Sequence, residues 1–193
     1  MNILNELQLL SEAKGKNLLG LTIDGKKITK KTPSEPWPGN FYCIDKSLTS
    51  LEGAPASVGG DFSCYNNKLT SLEGAPASVG GFFICFNNQL TSLEGAPASV
   101  GGDFWCFSNQ LTSLEGIHKL LKKMDGTFYA NKNPLKSNVI GLLLVKGCKA
   151  VELDNKQVEE IMNRHLQNPF GNRRVIECQS EMLDADLDDW ADL

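Results

Sequence analysis

The chain has 193 residues, of which 41% are hydrophobic and 22% charged, and its formal net charge is −4 at pH 7. This composition is too apolar for a disordered protein and is sufficient for one folded domain. No apolar run approaches the roughly 20 residues that span a bilayer. Met1–Lys14 also lacks the basic and apolar segments of a secretory signal. We therefore expect a cytoplasmic protein.

Charge is segregated along the chain. Residues 32–116 carry eight acidic and two basic side chains, residues 117–174 carry eleven basic and five acidic ones, and residues 175–193 carry seven acidic and no basic ones. A nucleic-acid site needs a positive surface, so the acidic central part argues against such a partner. The basic segment 117–174 could still contact phosphate.

The first 38 residues (1–38) predict an N-terminal cap. Met1–Lys14 has apolar residues at helical spacing and predicts a short helix. Asp24-Gly25 lies between two short β-type runs and predicts the turn of a hairpin. A proline-rich segment then surrounds Trp37, whose indole we expect to seal the end of the element that follows.

Residues 39–136 contain a repeat with a period of 21 residues, in which four units run from Phe-x-Cys through Leu-x-x-Leu and the first three of them end in GAPASVGG. Such self-similarity is typical of a solenoid whose units bury their apolar faces against their neighbours. We predict a short parallel strand at each Phe-x-Cys, with Phe and Cys pointing inward and the residue after each of them pointing outward. The repeating cysteines are Cys43, Cys64, Cys85 and Cys106.

Two recurring side chains have structural roles in this prediction. The repeating asparagines should bond the backbone of adjoining turns; they are Asn67, Asn88, Asn109 and Asn133. The repeating thiols should be reduced and buried, although successive Cα atoms about 5 Å apart would be within disulfide reach. A metal ladder is the alternative, but zinc sites use CxxC or Cys-His patterns that the repeat does not have.

After Gly116 the repeat gives way to other elements. The run IHKLLKKM predicts a helical return, Asn138–Lys146 a buried apolar segment and Ala150–Leu153 a last strand. Asp154 is the predicted N-cap of a helix. We expect residues 137–193 to form a helical C-terminal cap that ends in an acidic tail of one or two helices.

The run Phe-x-Cys-x-x-Asn-x-Leu-x-x-Leu resembles the L-x-x-L-x-L-x-x-N-x-L core of leucine-rich repeats, and LTSLEGAP is similar to the returns of the bacterial effector-type class. The resemblance covers five turns, the last marked by Phe128 and Asn133. It implies an α/β solenoid, a leucine-rich-repeat stack with short parallel strands. Glycine replaces the first consensus leucine at Gly59, Gly80 and Gly101.

Secreted members of that family can carry a catalytic cysteine domain after their repeats, but this chain has no such motif in its short tail. The near-identical units and compact caps also resemble small repeat proteins encoded by tailed bacteriophages. This second resemblance implies an accessory role in the cytoplasm of an infected bacterium.

The side chains that point away from the core form two columns and are the candidate functional site. Exposed aromatic residues dominate the binding energy of many protein interfaces. We predict a partner-binding surface made of Tyr42, Ile44, Tyr65, Ile84, Phe86, Trp105, Phe107 and Tyr129, in columns that also contain Ser63 and Asn131. Cover by the acidic tail, through Leu187 and Trp190, and self-association are the alternatives.

No constellation predicts catalysis, so we expect no enzyme activity, no cofactor and no metal. His118 and His165 lie far apart in sequence and near no nucleophile motif. The carboxylate column of Glu52, Glu73, Glu94 and Glu115 is expected to be solvated, and the acidic tail lacks the glycine of a calcium loop. The predicted function is a non-enzymatic module that binds a host or phage protein; the alternatives are a homo-oligomeric assembly protein and an acidic nucleic-acid mimic that inhibits a host enzyme.

Overall fold

The computed structural model describes residues 36–168 and 173–192, together with two isolated strands nearer the N-terminus. These strands, β1 (Thr22–Ile23) and β2 (Lys26–Lys27), pair antiparallel, which confirms the predicted hairpin. The helix predicted at Met1–Lys14 lies outside the described residues.

From residue 36 the chain forms a parallel β-solenoid of about six turns, in which two rows of short strands run side by side. The first row, ladder A, comprises β4 (Phe41–Tyr42), β6 (Phe62–Ser63), β8 (Phe83–Ile84) and β10 (Phe104–Trp105). The second row, ladder B, comprises β3 (Pro36–Trp37), β5 (Ser57–Val58), β7 (Ser78–Val79) and β9 (Ser99–Val100). Ladder A confirms the predicted strands, whereas ladder B lies in the returns, for which no strand was predicted.

Two longer strands join the ladders at the C-terminal end. Strand β11 (Lys123–Tyr129) pairs with β9 of ladder B through Lys123 and with β10 of ladder A through Phe128 and Tyr129. Strand β12 (Lys146–Glu152) pairs in parallel along β11. The solenoid therefore continues for one turn, at β12, beyond the five turns of the repeat.

The core is a column of phenylalanine rings with apolar side chains around it. Neighbouring rings lie 4.9 to 5.6 Å apart between centroids, and every ring in the column is fully buried. Trp37 meets the first ring edge-on at 5.3 Å, so its indole seals the start of the stack as predicted. The column consists of Phe41, Phe62, Phe83, Phe104 and Phe128.

The repeating asparagines hold successive turns together, as predicted. The Asn88 side chain accepts a hydrogen bond from the Leu69 N–H at 3.0 Å and donates to the Cys64 and Cys85 carbonyls at 3.0 and 3.1 Å. Asn67, Asn109 and Asn133 repeat this pattern. Each asparagine thus satisfies buried backbone groups that the strand ladder leaves unpaired.

Ladder B brings successive turns so close that only glycine fits after each Val. A Cβ added to Gly80 would lie 2.2 Å from the Gly59 carbonyl oxygen, and one added to Gly101 would lie 2.0 Å from the Gly80 carbonyl oxygen. Real Cβ atoms do not approach backbone this closely, so a larger residue would push the turns apart. This contact explains why glycine stands at these positions.

Helical segments follow the repeats. They are α1 (Ile117–Leu120), α2 (Lys156–Leu166), α3 (Arg173–Asp184) and 3-10 turns at Ile140–Leu144 and Asp188–Trp190. The buried segment and the last strand were predicted. The predicted helical return is shorter than expected, since its helix ends at Leu120 and its last two residues belong to β11. The N-cap of α2 was placed one residue too early. Asn155, in extended conformation, accepts from the Val158 N–H at 3.2 Å, and the exposed Asp154 lies outside the helix.

Helix α3 packs against α2 and the first 3-10 turn. Glu181 of α3 pairs with Arg164 and, at 2.9 Å, with the His165 Nε2 atom of α2. Partial burial raises the pKa of Glu181, but the hydrogen bonds and positive charges of these two partners outweigh it and lower the pKa. Leu187 and Trp190 fold back onto this end, where they pack against the core.

We predict that Asn88→Ala lowers the free energy of unfolding by about 2 kcal/mol, because it leaves the buried Leu69 N–H without a partner and removes one of the two amide hydrogen bonds to each of the Cys64 and Cys85 carbonyls. Urea denaturation followed by circular dichroism measures the loss. The exposed neighbour Gln89 provides the control, since Gln89→Ala should change the stability by less than about 0.5 kcal/mol. Equal effects of the two substitutions would contradict this role of the asparagine.

Candidate functional site

The first outward column lies in strict register on ladder A. Its members pair in the order Tyr42, Ser63, Ile84, Trp105 and Tyr129, and β12 adds Glu152 opposite Tyr129. Four of the five predicted members are half-buried side chains on the outer surface. The predicted column is therefore present, with a carboxylate at its C-terminal end.

Ser63 departs from the prediction that it lies on the open surface. Its side chain is only 2% exposed, and its buried hydroxyl has no hydrogen-bond partner in the structure. The reason is its size, because Ser63 is the smallest side chain in a column where its strand neighbours are Tyr42 and Ile84.

The second outward column is a stack of aromatic rings. Tyr65, Phe86 and Phe107 follow one another with centroid distances of 4.5 Å at both steps and interplanar angles of 7° and 8°. Ile44 precedes the stack and Asn131 follows it, and all five side chains are half-buried. Near-parallel stacking at this spacing fixes each ring by its neighbours and leaves the outer edges accessible.

Phe82 is a surface residue that the sequence reasoning missed. It occupies the position of Asp61 and Asp103, whose carboxylates accept hydrogen bonds from the next turn at 2.9 and 2.8 Å. Phe82 gives up that bond, is 41% exposed, and places its ring 6.2 Å from that of Trp105. A single apolar residue in an otherwise polar repeat position was the available signal.

We call the resulting surface the aromatic face. Among the described residues, the ring contacts made by its side chains are with one another. Helix α3 makes its main contacts with α2 and the first 3-10 turn. Leu187 and Trp190, which follow α3, pack against the core and do not need this surface for burial. The face is made of Tyr42, Ile44, Tyr65, Phe82, Ile84, Phe86, Trp105, Phe107 and Tyr129.

The remaining candidate residues are not gathered into a reactive site. His165 is bound to Glu181, and partial burial next to Lys119 and Lys122 lowers the pKa of His118. Within the described ranges, no group of three or more His, Cys, Asp or Glu residues could hold a metal ion. The repeating glutamates are exposed: Glu52, Glu73, Glu94 and Glu115.

The four repeating cysteines lie on the inner side of ladder A, as predicted. All are fully buried, and this burial raises the pKa of each thiol far above its ordinary value. The Cys43 and Cys106 thiols donate to backbone carbonyls of the next turn at 3.4 and 3.3 Å. They act as small core side chains and not as nucleophiles.

No protein-family model, curated protein or solved structure matches the chain. In the part of the chain that the structure describes, no helix is both long and apolar enough to cross a membrane. Function must therefore be inferred from the aromatic face itself.

We predict that the native protein resists the thiol reagent DTNB. All six cysteines are buried, and the four in ladder A should react only when the solenoid unfolds. Cys148, whose pKa burial raises to about 12, is 6% exposed and should react first. The time course at 412 nm measures this order, and Cys148→Ala should remove the first phase alone. Rapid native labelling of several thiols would contradict the burial of the cysteine column.

Proposed function

We propose that the chain is a leucine-rich-repeat module of the bacterial type. Inward leucines, a ladder asparagine in each turn and one short parallel strand per unit support this assignment. The glycines at the first consensus leucine are explained by the close contact of ladder B. The N-terminal hairpin and the C-terminal helices then serve as the caps that such a stack requires.

We infer that this module binds a protein partner through the aromatic face and performs no catalysis. The observation that carries the inference is the row of stacked rings on the outer side of a rigid parallel ladder. Ordered rings lose little conformational entropy on binding, and Trp and Tyr are enriched among the residues that dominate interface energies. Since each ring is already held by its neighbours, the face is preorganised.

Charge around the face favours a protein over a nucleic acid. Asp61, Asp103 and Glu152 border the columns, and the repeat region as a whole is acidic. Aromatic rings can stack on bases, but single-stranded nucleic acid is bound where the groove is also positive. A protein with an apolar surface and basic groups at its rim fits better.

The resemblance to repeat proteins of tailed bacteriophages supplies the biological setting of this proposal. The module would act in the cytoplasm of an infected bacterium, as an accessory or counter-defence factor that engages a host or phage protein. The binding experiment below tests the interaction directly in bacterial lysate.

We predict that Tyr65→Ser with Phe86→Ser abolishes partner capture, because it removes the centre of the stacked column. Affinity capture from bacterial lysate, quantified by mass spectrometry, compares the variant with the wild-type protein. Proteins retained by the wild type should fall at least tenfold on the variant. Circular dichroism must show that the variant remains folded.

The matched control is Ile176→Ser with Leu183→Ser, which also removes two exposed apolar side chains but from helix α3. These side chains are 68% and 51% exposed. Capture should be unchanged by this pair. A retained protein that survives the loss of Tyr65 and Phe86 and disappears with the α3 pair would place the binding surface elsewhere and overturn the proposal.

Self-association is the second candidate, and the same α3 residues favour it. Ile176 and Leu183 are two helical turns apart and therefore share one exposed side of α3. If α3 pairs with a second copy, the wild type should scatter light as a dimer and the Ile176→Ser, Leu183→Ser variant as a monomer. A monomeric wild type at high concentration would remove this candidate.

The alternative that the acidic tail mimics nucleic acid has less support from the geometry of α3. Glu181 is engaged by Arg164 and His165, so one acidic side chain of the tail holds the helices together. A mimic uses its carboxylates to meet the basic groups of another protein. The aromatic face is the stronger basis for a function.

A further inference from the structure

A cavity of about 390 Å³ lies at the C-terminal end of the aromatic face. Trp105, Tyr129 and Glu152 form its side along the first column, and Phe107 and Asn131 form its side along the second. Lys132 stands at the rim and is exposed. The cavity is thus built where the regular repeats meet the last two strands.

Its aromatic walls differ from the rest of the face. Trp105 meets Tyr129 at an interplanar angle of 70° and Phe107 at 43°, with centroid distances of 5.6 and 6.5 Å. Elsewhere in the second column the rings lie within 8° of parallel. Rings inclined to each other around a cavity can offer their negative π faces to one ligand, and such faces attract cations.

The wall of the cavity carries one negative charge. Glu152 contributes a carboxylate, and the Asn131 Oδ1 atom is buried without a hydrogen-bond partner. The Trp105 indole N–H points to Asp103 at 3.5 Å, so this donor is directed away from an incoming ligand and towards a second carboxylate. A ligand that brings positive charge and N–H donors would pair with the Glu152 carboxylate.

The nearby lysine side chains do not reverse this preference for a positively charged ligand. Lys156 is held by Glu159 at 2.9 Å. Lys132 remains the opposing charge, on a long exposed side chain at the rim. Replacement of Lys132 by a neutral residue therefore tests the site, because loss of this charge should strengthen the binding of a cation.

A guanidinium group fits this combination better than an ammonium group. It is planar and weakly hydrated, stacks on aromatic rings, and carries five donors in fixed directions. It can therefore lie against a ring while donating to the Glu152 carboxylate. An ammonium group has only three donors and is more strongly hydrated.

We propose that the cavity formed by Trp105, Phe107, Tyr129, Asn131 and Glu152 holds an arginine side chain of the protein partner. The proposal rests on the proposed function, whose surface it extends to one specific contact. The partner should therefore present an arginine next to an apolar patch, and that patch should cover the stacked rings.

The test uses Nα-acetyl-arginine N-methylamide as the probe and its citrulline counterpart, which has the same shape without the charge. Binding is followed by the tryptophan indole signals in ¹H–¹⁵N NMR spectra of the full chain. The Trp105 signal should shift saturably with the arginine probe, and the citrulline probe should bind at least tenfold more weakly. Trp37, buried at the opposite end of the stack, is the internal control.

Two matched variants assign the effect to the cavity. Glu152→Gln should weaken the arginine probe at least fivefold and leave the citrulline probe unchanged, whereas Lys132→Gln should strengthen the arginine probe. Equal binding of both probes, equal shifts at Trp37 and Trp105, or no response to Glu152→Gln would overturn the proposal. A lysine probe that binds as tightly as arginine would overturn the choice of guanidinium.

The probe experiment needs no partner, so its failure is distinct from failure of the proposed function. If no arginine binds but partner capture is still lost with Tyr65 and Phe86, the arginine proposal is wrong and the protein-binding function stands. If arginine binds and partner capture is unchanged in the Tyr65→Ser, Phe86→Ser variant, the protein-binding proposal is wrong. If both hold, Glu152→Gln should also reduce capture of the same partner.

Discussion

The solenoid depends on pairing backbone groups that its two-residue strands cannot pair. Each strand of ladder A contributes few ladder hydrogen bonds before the chain turns, and the groups in the turn are buried. The asparagine of each repeat meets this need, since its single amide bonds backbone of its own turn and of the turn before it. Asn67, Asn88, Asn109 and Asn133 are each only 8% exposed, so water is a poor substitute.

This constraint separates the residues that the fold requires from those it leaves free. Phenylalanine, cysteine, asparagine and glycine recur almost unchanged because each fills a site that constrains its size or its hydrogen-bonding pattern. The outward position of ladder A, by contrast, holds tyrosine, serine, isoleucine and tryptophan in turn. Variation within a nearly exact repeat shows where packing does not dictate the residue, and here those positions contain most of the aromatic face.

The sequence predicted the inner side of the stack well, because its signals repeat in register. The period of Phe62 and Cys64 gave both the strand and its direction, and the outward columns followed from alternation along it. Ladder B was missed because Ser78–Val79 is too short to show alternation and two glycines follow it. The burial of Ser63 could not be predicted from the sequence, since it depends on the size of its strand neighbours. Asn155 and Asp154 are both good N-caps, and only backbone geometry chooses between them.

The end of the repeat gives the aromatic face its one specific feature. While the units are identical, rings of equal size stack at equal spacing, and the column from Tyr65 to Phe107 offers the same surface at every step. At β11 one continuous strand, which contains Gly126, takes the place of two short strands separated by glycines, and Phe107 is followed by Asn131 instead of another ring. The stack then has an end, where Trp105 turns against Tyr129 and the Glu152 carboxylate lies beside it. A uniform surface can bind apolar area in several registers, but an end with its own chemistry selects one of them. The loss of repetition after Gly116 thus supplies the specificity that a perfect repeat would lack.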